Sequence, residues 1–334
     1  MSDSHKLNRR SLMLGASVTA AAYIAACSKA PTASAAETID LTGTSILITG
    51  CSSGFGRLGA EHYARLGAKV FATMRNLPRP EAVGLEALAK SDKLDITVLE
   101  IDVMDDAQVQ AGVTAALKAT GGKLDVLINN AGMSIAGPIE AQDMEATQLI
   151  FDTNVFGAQR MDRAVLPSMR AHKSGYIFNV TSQLGRVIIP GFGQYSPTKF
   201  ALEAMSEQMA YEVASHGIDV TIIQPGGYPT KIWSNQNKPS GELKARLSED
   251  IISAYPQFTA GMGKREASSS TSDPMDIPHA IAGAIATPKA KRPLRIALHP
   301  VARPQEAINK VSAQMQIAVL GESPFGPIVK GVLD

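Results

Sequence analysis

From Thr42 onward, short runs of Ile, Val and Leu alternate with longer stretches of helical period. The apolar runs are Ser45–Thr49, Lys69–Thr73, Ile96–Ile101, Leu124–Ile128, Gly175–Val180, Ile218–Gln224 and Leu294–Ala297. A strand covered on both faces needs such a run, so these predict buried parallel strands. Helices are predicted between them, over Phe55–Leu66, Asp105–Ala119, Asp143–Ala171 and about Tyr195–Ser215. In the last of these, Leu202, Met205, Met209 and Val213 form one apolar stripe suited to core or subunit contact. The alternation predicts an α/β fold: a single Rossmann-type doubly wound sheet of about seven parallel strands, flanked by helices.

The alternation breaks at 227–273, a polar stretch containing Ser268-Ser269-Ser270-Thr271-Ser272. Ligands bind beyond the carboxyl ends of strands in such sheets, so this segment is read as a mobile substrate lid. Its Ile232, Trp233, Ile251, Ile252, Tyr255 and Phe258 are expected to line an apolar pocket. Residues 301–334 are read as a C-terminal tail with a helix at Gln305–Leu320.

Residues 1–36 have a different texture. Arg9-Arg10 precede an uncharged run, Ser11–Ala26, and then Ala, Gly and Ser dominate to Ala36. A charged start, a short apolar run and small residues make a signal peptide, and the Arg pair resembles a twin-arginine export signal. Export to the periplasm or cell envelope is therefore expected. Cleavage is expected after Ala35, in Ala33-Ser34-Ala35, or at Cys27, where Ile24-Ala25-Ala26-Cys27 resembles a lipidation site that would attach the chain to a membrane. The alternative is a retained leader on a cytoplasmic protein. The folded domain is taken as 37–300.

Charge narrows the partners. The net charge is +1, from 32 basic and 31 acidic residues, so no basic face for nucleic acid is indicated. The two cysteines, Cys27 and Cys51, support neither a disulfide framework nor a zinc site, and no metal is expected.

The candidate chemistry begins at Thr49-Gly50-Cys51-Ser52-Ser53-Gly54-Phe55-Gly56, between the first strand and first helix. Gly50 permits a tight turn, Gly54 lets backbone approach a pyrophosphate, and Gly56 lets the helix pack closely. The helix N-terminus offers free N–H groups to phosphates. After the second strand no acid stands ready for a ribose 2′-hydroxyl. Arg75 stands there instead, with Arg57 and Arg79 near, and its guanidinium suits a 2′-phosphate. NADP(H) is therefore expected over NAD(H). Asp102, followed by Val103, is placed to bond an adenine amino group. Asn129-Asn130-Ala131-Gly132 follows the fourth strand, where small residues let the chain pass close to a cofactor.

Tyr195 and Lys199, four apart, share one helix face. An ammonium beside a phenol is expected to lower the phenol's pKa and fit it for acid–base work. Ser182 follows the fifth strand and is placed to hold a substrate oxygen. Asn154, inside a long helix, is expected to kink it and support a proton-relaying water. On these residues, together with Pro225-Gly226, the chain resembles the short-chain dehydrogenase/reductase family over roughly Leu41–Pro300. The resemblance implies a catalytic tetrad of Asn154, Ser182, Tyr195 and Lys199. It implies that Lys199 also bonds the nicotinamide ribose and that Thr230 contacts the carboxamide. It further implies a hydride-transferring oxidoreductase for an alcohol or carbonyl, with a hydrophobic substrate class such as steroids or retinoids, assembled as a homodimer or homotetramer. The competing reading is a non-catalytic nucleotide-binding sensor or scaffold on the same fold.

Overall fold

The computed structural model describes residues 39–333, apart from 267 and 269. The leader, with Arg9, Arg10, Cys27 and Ala35, lies outside the described residues.

β1 (Ser45–Ile48) passes through the glycine turn into α1 (Gly54–Arg65), followed by β2 (Lys69–Met74), α2 (Pro80–Asp92), β3 (Ile96–Glu100), α3 (Asp106–Ala119) and β4 (Val126–Asn129). The second half runs α4 (Met144–Phe151), α5 (Gly157–Ala171), β5 (Gly175–Val180), α6 (Tyr195–Val213) and β6 (Ile218–Pro225). Short helices follow: α7 (Ile232–Asn235), α8 (Asn237–Arg246), α9 (Glu249–Ala254) and α10 (Pro256–Thr259). The chain closes with α11 (Asp276–Ala286), β7 (Arg295–Leu298), α12 (Gln305–Leu320) and α13 (Gly326–Leu333).

Among the described residues the seven strands form one parallel sheet in the order β3-β2-β1-β4-β5-β6-β7. The order reverses between β1 and β4, where a doubly wound sheet opens a crevice for ligands. The central strands are buried on both faces, which explains their all-apolar runs. Ile46 and Ile48 pack toward Tyr63 of α1 and Ile281 of α11. Leu47 points the other way, into a cluster holding Val113 of α3, Val165 of α5 and Met209 of α6. Each such side chain contributes about 1.5–3 kcal/mol by leaving water.

The helix expected over 143–171 is interrupted at Asn154, where a kink was expected, and four other features depart from the sequence pattern. The interruption takes the form of a π turn at Asp152–Phe156, which carries Asn154. There Thr153 Oγ1 donates to Leu149 O (2.9 Å), a local bond that competes with regular helix. The span 80–92 is helical although no helix was read there, because its buried positions, Ala82, Leu85 and Ala89, make too narrow a stripe to stand out. The span 276–286 is a helix too apolar to show a period, with Ile277, Ile281 and Ile285 buried. The lid is built largely of the short helices α7–α10 rather than open loop. The tail docks as well: Gln305 Nε2 donates to Gln224 O (3.2 Å) and Asn309 Nδ2 to Gln224 Oε1 (2.7 Å), tying α12 to β6.

Among the described residues, no helix is long and apolar enough to cross a membrane.

Candidate active site

The glycine turn is held by the side chains of Thr49 and Asn130. Thr49 Oγ1 accepts from the N–H groups of Asn130 and Ala131 (both 3.0 Å), and Asn130 Nδ2 donates to Thr49 O (2.8 Å). β1 and β4 are thereby laced together at their carboxyl ends. Gly50 sits at φ +75°, where a side chain is strained, and a Cβ there would lie 2.9 Å from Ala131 Cα. A Cβ on Gly56 would lie 2.5 Å from Gly50 O. Hence α1 approaches the turn more closely than any other residue permits. Ser53 precedes α1 without capping it through its side chain, and no acid stands in the first turn. The N–H groups at that end, with Ser52 and Ser53 beside them, form an electropositive cradle that fits a diphosphate. Thr230 roofs it, its Cβ 3.5 Å from where a Cβ on Gly54 would be. Phe55 braces the roof, its ring edge-on to Tyr228 at 5.6 Å between centroids. Pro225 ends β6, and Gly226 N–H donates to Leu298 O (2.8 Å), turning the chain toward that roof.

At the far end of the crevice, Arg75 directly follows β2, and Asp102 lies two residues beyond β3. Arg75 Nη1 is 3.8 Å from Asp102 Oδ2, with the Arg side chain half exposed. Asp102 Oδ1 accepts from Met104 N–H (3.0 Å), so the carboxylate is oriented by its own turn. The Val103 side chain packs against Gly157 at the start of α5. Arg57 pairs with Glu61 and donates to Glu81 O (3.0 Å), and Arg79 pairs with Glu81 (2.9 Å). Those two charges are compensated within the fold. Arg75, at the longer separation, is the one best able to turn toward an added phosphate.

The four residues expected to be catalytic converge. Tyr195 and Lys199 lie on the first turns of α6, both buried. Lys199 Nζ stands 5.7 Å from the Tyr195 ring centroid and donates to Val180 O (2.9 Å) at the end of β5. Ser182, two residues on, accepts from Leu184 N–H (3.0 Å), which fixes its hydroxyl beside the phenol. Asn154 Oδ1 accepts from Met133 N–H (2.8 Å), and its Nδ2 donates to Met133 O (2.9 Å) and to Thr198 Oγ1 (3.1 Å). The amide thus clamps the chain after Gly132 to α6. A Cβ on Gly132 would lie 3.4 Å from Asn154 Oδ1 and 3.6 Å from Lys199 Nζ. The glycine leaves the lysine room.

The electrostatics differ from expectation in one respect. The Tyr195 pKa is raised here, despite the nearness of Lys199. Burial pushes the phenol up to about 12, against the opposing pull of the neighbouring Ser182 hydroxyl. Burial likewise brings Lys199 down to about 8, against a pull upward from Glu203. For both groups the cost of leaving water outweighs what the neighbouring groups return.

Of the lid residues expected around the substrate, Trp233 stacks edge-on with Phe192 at 6.1 Å, and Phe192 lies 6.4 Å from the Tyr195 ring. Phe258 lines a cavity beside them, and Ile232 packs against the cluster that contains Tyr195. Tyr255 turns away to bond Glu140. Ile251 and Ile252 do not line that cavity. Phe192, Gln236 and Arg265 were not foreseen. The only sequence signal was the glycine pair flanking Phe192, since Gly191 and Gly193 both have positive φ and press against Phe258 and Gln142. Among the described residues, no three His, Cys, Asp or Glu side chains group as metal ligands.

A family model described as short chain dehydrogenase matches residues 44–241. The chain is 39% identical over 192 residues to a 3-ketodihydrosphingosine reductase of Bacteroides thetaiotaomicron, covering 58% of this chain and 66% of that one. It is 35% identical over 209 residues to human retinol dehydrogenase 8, covering 61% and 62%. The chain thus spans somewhat under two thirds of the length of these relatives. Among solved structures, a short-chain dehydrogenase from Streptomyces avermitilis superposes with a TM-score of 0.62 at 29% identity, over 87% of this chain and 99% of that one.

Proposed function

Because the chain belongs to the short-chain dehydrogenase family, we propose that it is an oxidoreductase that interconverts an alcohol and a carbonyl with NADP(H), Tyr195 serving as general acid and base. The observation that carries this reading is the convergence of Tyr195, Lys199, Ser182 and Asn154 beside the glycine cradle. A non-catalytic sensor would have no need of a buried phenol and amine together. When bound, the nicotinamide supplies or accepts the hydride. The chain's own part is to hold the oxygen and move a proton. Ser182 holds the substrate oxygen. In reduction the Tyr195 hydroxyl gives its proton to that oxygen as the carbon gains hydride, and in oxidation the phenolate takes it back. A phenol held near pKa 12 is fully protonated at neutral pH, so the resting site is loaded for reduction. Lys199, near 8, still carries most of its charge there and stabilises the phenolate left behind. Relatives named for ketodihydrosphingosine and for retinol, and the aromatic wall of Phe192 and Trp233, support a substrate with a hydrophobic body.

The test follows nicotinamide absorbance with a panel of hydrophobic ketones, aldehydes and alcohols. Tyr195→Phe should lose turnover by about a thousandfold or more while keeping NADPH affinity. Undiminished turnover in that variant would refute the role given to Tyr195. Arg75 supports the preference for NADP(H): Arg75→Ala should lower kcat/KM for NADPH and not for NADH. Equal losses with both would remove that argument. The Arg9-Arg10 leader supports export of the folded protein, and residence of the full chain in the cytosolic fraction of its host would count against it. Phe156 (47% exposed), just before α5, and Phe200 of α6 (37%) support pairing of these helices between copies. A monomer on sedimentation would contradict that.

A further inference from the structure

Beside the aromatic wall lies a cavity of about 270 Å³ lined by residues that include Ala136, Phe192, Gln236, Ser240, Lys264 and Arg265. Two of its lining residues are cations and none is a carboxylate. Arg265 is mounted with care. The Asn237 side chain accepts from its N–H (2.7 Å) and donates to its C=O (2.8 Å), so the backbone is clamped from both sides. Its guanidinium carbon lies 4.4 Å from the Trp233 ring centroid and 5.0 Å from that of Phe192. Packing over two rings fixes the position of the guanidinium, and among the described residues none of its N–H groups is bonded to an acceptor. Among the described residues no carboxylate lies within ion-pairing distance of it. The neighbouring wall residue Gln236 is 2% exposed, and although its Oε1 accepts from Ser134 Oγ (3.1 Å), its Nε2 has no acceptor. A fixed cation and an unsatisfied buried donor in one wall both ask for acceptor oxygens.

We infer that this cavity reads an anionic group at the far end of the substrate, and that Arg265 is a specificity-determining residue for a hydroxy or keto acid with an apolar middle. This rests on the oxidoreductase reading above. Phe192 neighbours both Tyr195 (6.4 Å between ring centroids) and Arg265 (5.0 Å), so that the reacting oxygen meets the phenol, the hydrocarbon meets the rings, and the carboxylate meets the guanidinium. A guanidinium partly withdrawn from water gains more from a carboxylate than an exposed one does.

The test measures kcat/KM with NADPH for methyl ketones of graded chain length that end in a carboxylate, against their methyl esters and the parent ketones. At the best chain length the acid should exceed its ester by tenfold or more. Arg265→Ala should collapse that ratio toward one, chiefly through KM, and Arg265→Lys should restore part of it. The ratio should also shrink as salt rises. A guanidinium serving only to brace the rings would change thermal stability without moving the ratio. Turnover of acid and ester at equal efficiency in the native protein, or an unchanged ratio in Arg265→Ala, overturns the inference and leaves the oxidoreductase reading intact. Turnover of neither acid nor ester nor ketone overturns both, and the Tyr195→Phe comparison tells these cases apart.

Discussion

Asp162 offers the clearest quantitative test of the core beneath the site. It lies on α5, is 3% exposed, and accepts from Asn129 Nδ2 (2.7 Å). The same Nδ2 donates to Asn179 Oδ1 (2.8 Å), and Asn179 Nδ2 donates to Ser206 Oγ (2.8 Å) on α6. One neutral donor does not replace the water an ionised carboxylate loses, so burial raises Asp162 from 3.8 to about 7. The folded protein therefore holds this proton up to about pH 7, whereas the unfolded chain releases it near 4. Between those values the native state binds more protons, and stability falls as pH rises. The gap corresponds to about 4 kcal/mol once pH exceeds 7. Asp162→Asn keeps an oxygen to accept from Asn129 and carries no charge. The variant should be more stable than the native protein at pH 8 by about 2–4 kcal/mol, and nearly equal to it at pH 4. Urea melts at the two pH values measure both differences. A variant no more stable at pH 8, or a gap of equal size at both pH values, would falsify the account of Asp162 as a buried carboxyl that ionises at a cost.

Two further outcomes follow from the same kind of argument. Lys199, lowered from 10.5 to about 8 by burial, costs about 3 kcal/mol to keep charged below pH 8, a cost that fades as pH rises from 8 toward 10.5. Lys199→Met should therefore raise stability at pH 7 by about 2 kcal/mol, after about 1 is deducted for its lost bond to Val180 O, while abolishing turnover. A variant melting below the native protein at pH 7 would count against this. Gly56→Ala places a methyl 2.5 Å from Gly50 O and from Asn130 Nδ2, so α1 must shift at a cost of about 1–3 kcal/mol and nucleotide should bind about tenfold more weakly or worse. Gly84→Ala on α2 meets nothing within 4 Å and serves as the control, with nucleotide affinity unmoved and stability slightly raised. Equal affinities in the two variants would show that the close approach of α1 does not govern binding.

The sheet was legible because its central strands are buried on both faces and cannot hide their apolar runs. The glycine turn and the Tyr195–Lys199 pair were legible for a related reason: each depends on spacing along one local element. What failed to show was set by contacts between distant segments. A kink at Asn154 was expected, but its form as a π turn at Asp152–Phe156 was not: Asn154 reaches across to Met133 and Thr198 there, and no window of sequence contains those partners together. Helix α11 is covered by the sheet and α1, so it lacks a polar face to mark its period. Arg265 is meaningful only because Asn237, Trp233 and Phe192 converge on it from separate segments.

The case of Tyr195 and Lys199 shows how far spacing reaches. Four residues on a helix do place an ammonium near a phenol, and the structure has them 5.7 Å apart, from Nζ to ring centroid. Spacing carries no information about the dielectric around them. Both groups are buried, so each resists ionisation, and the phenol moves up to about 12 where proximity alone would have moved it down. An amine near 8 loses its charge just above neutral pH, and with it the support a phenolate needs. Activity that depends on the charged amine should then fall as pH rises through about 8, whereas a lysine at its ordinary 10.5 would sustain it two decades further. On this reading the depth of α6 against β5, beyond the Tyr-Lys spacing, sets the pH at which activity should fall.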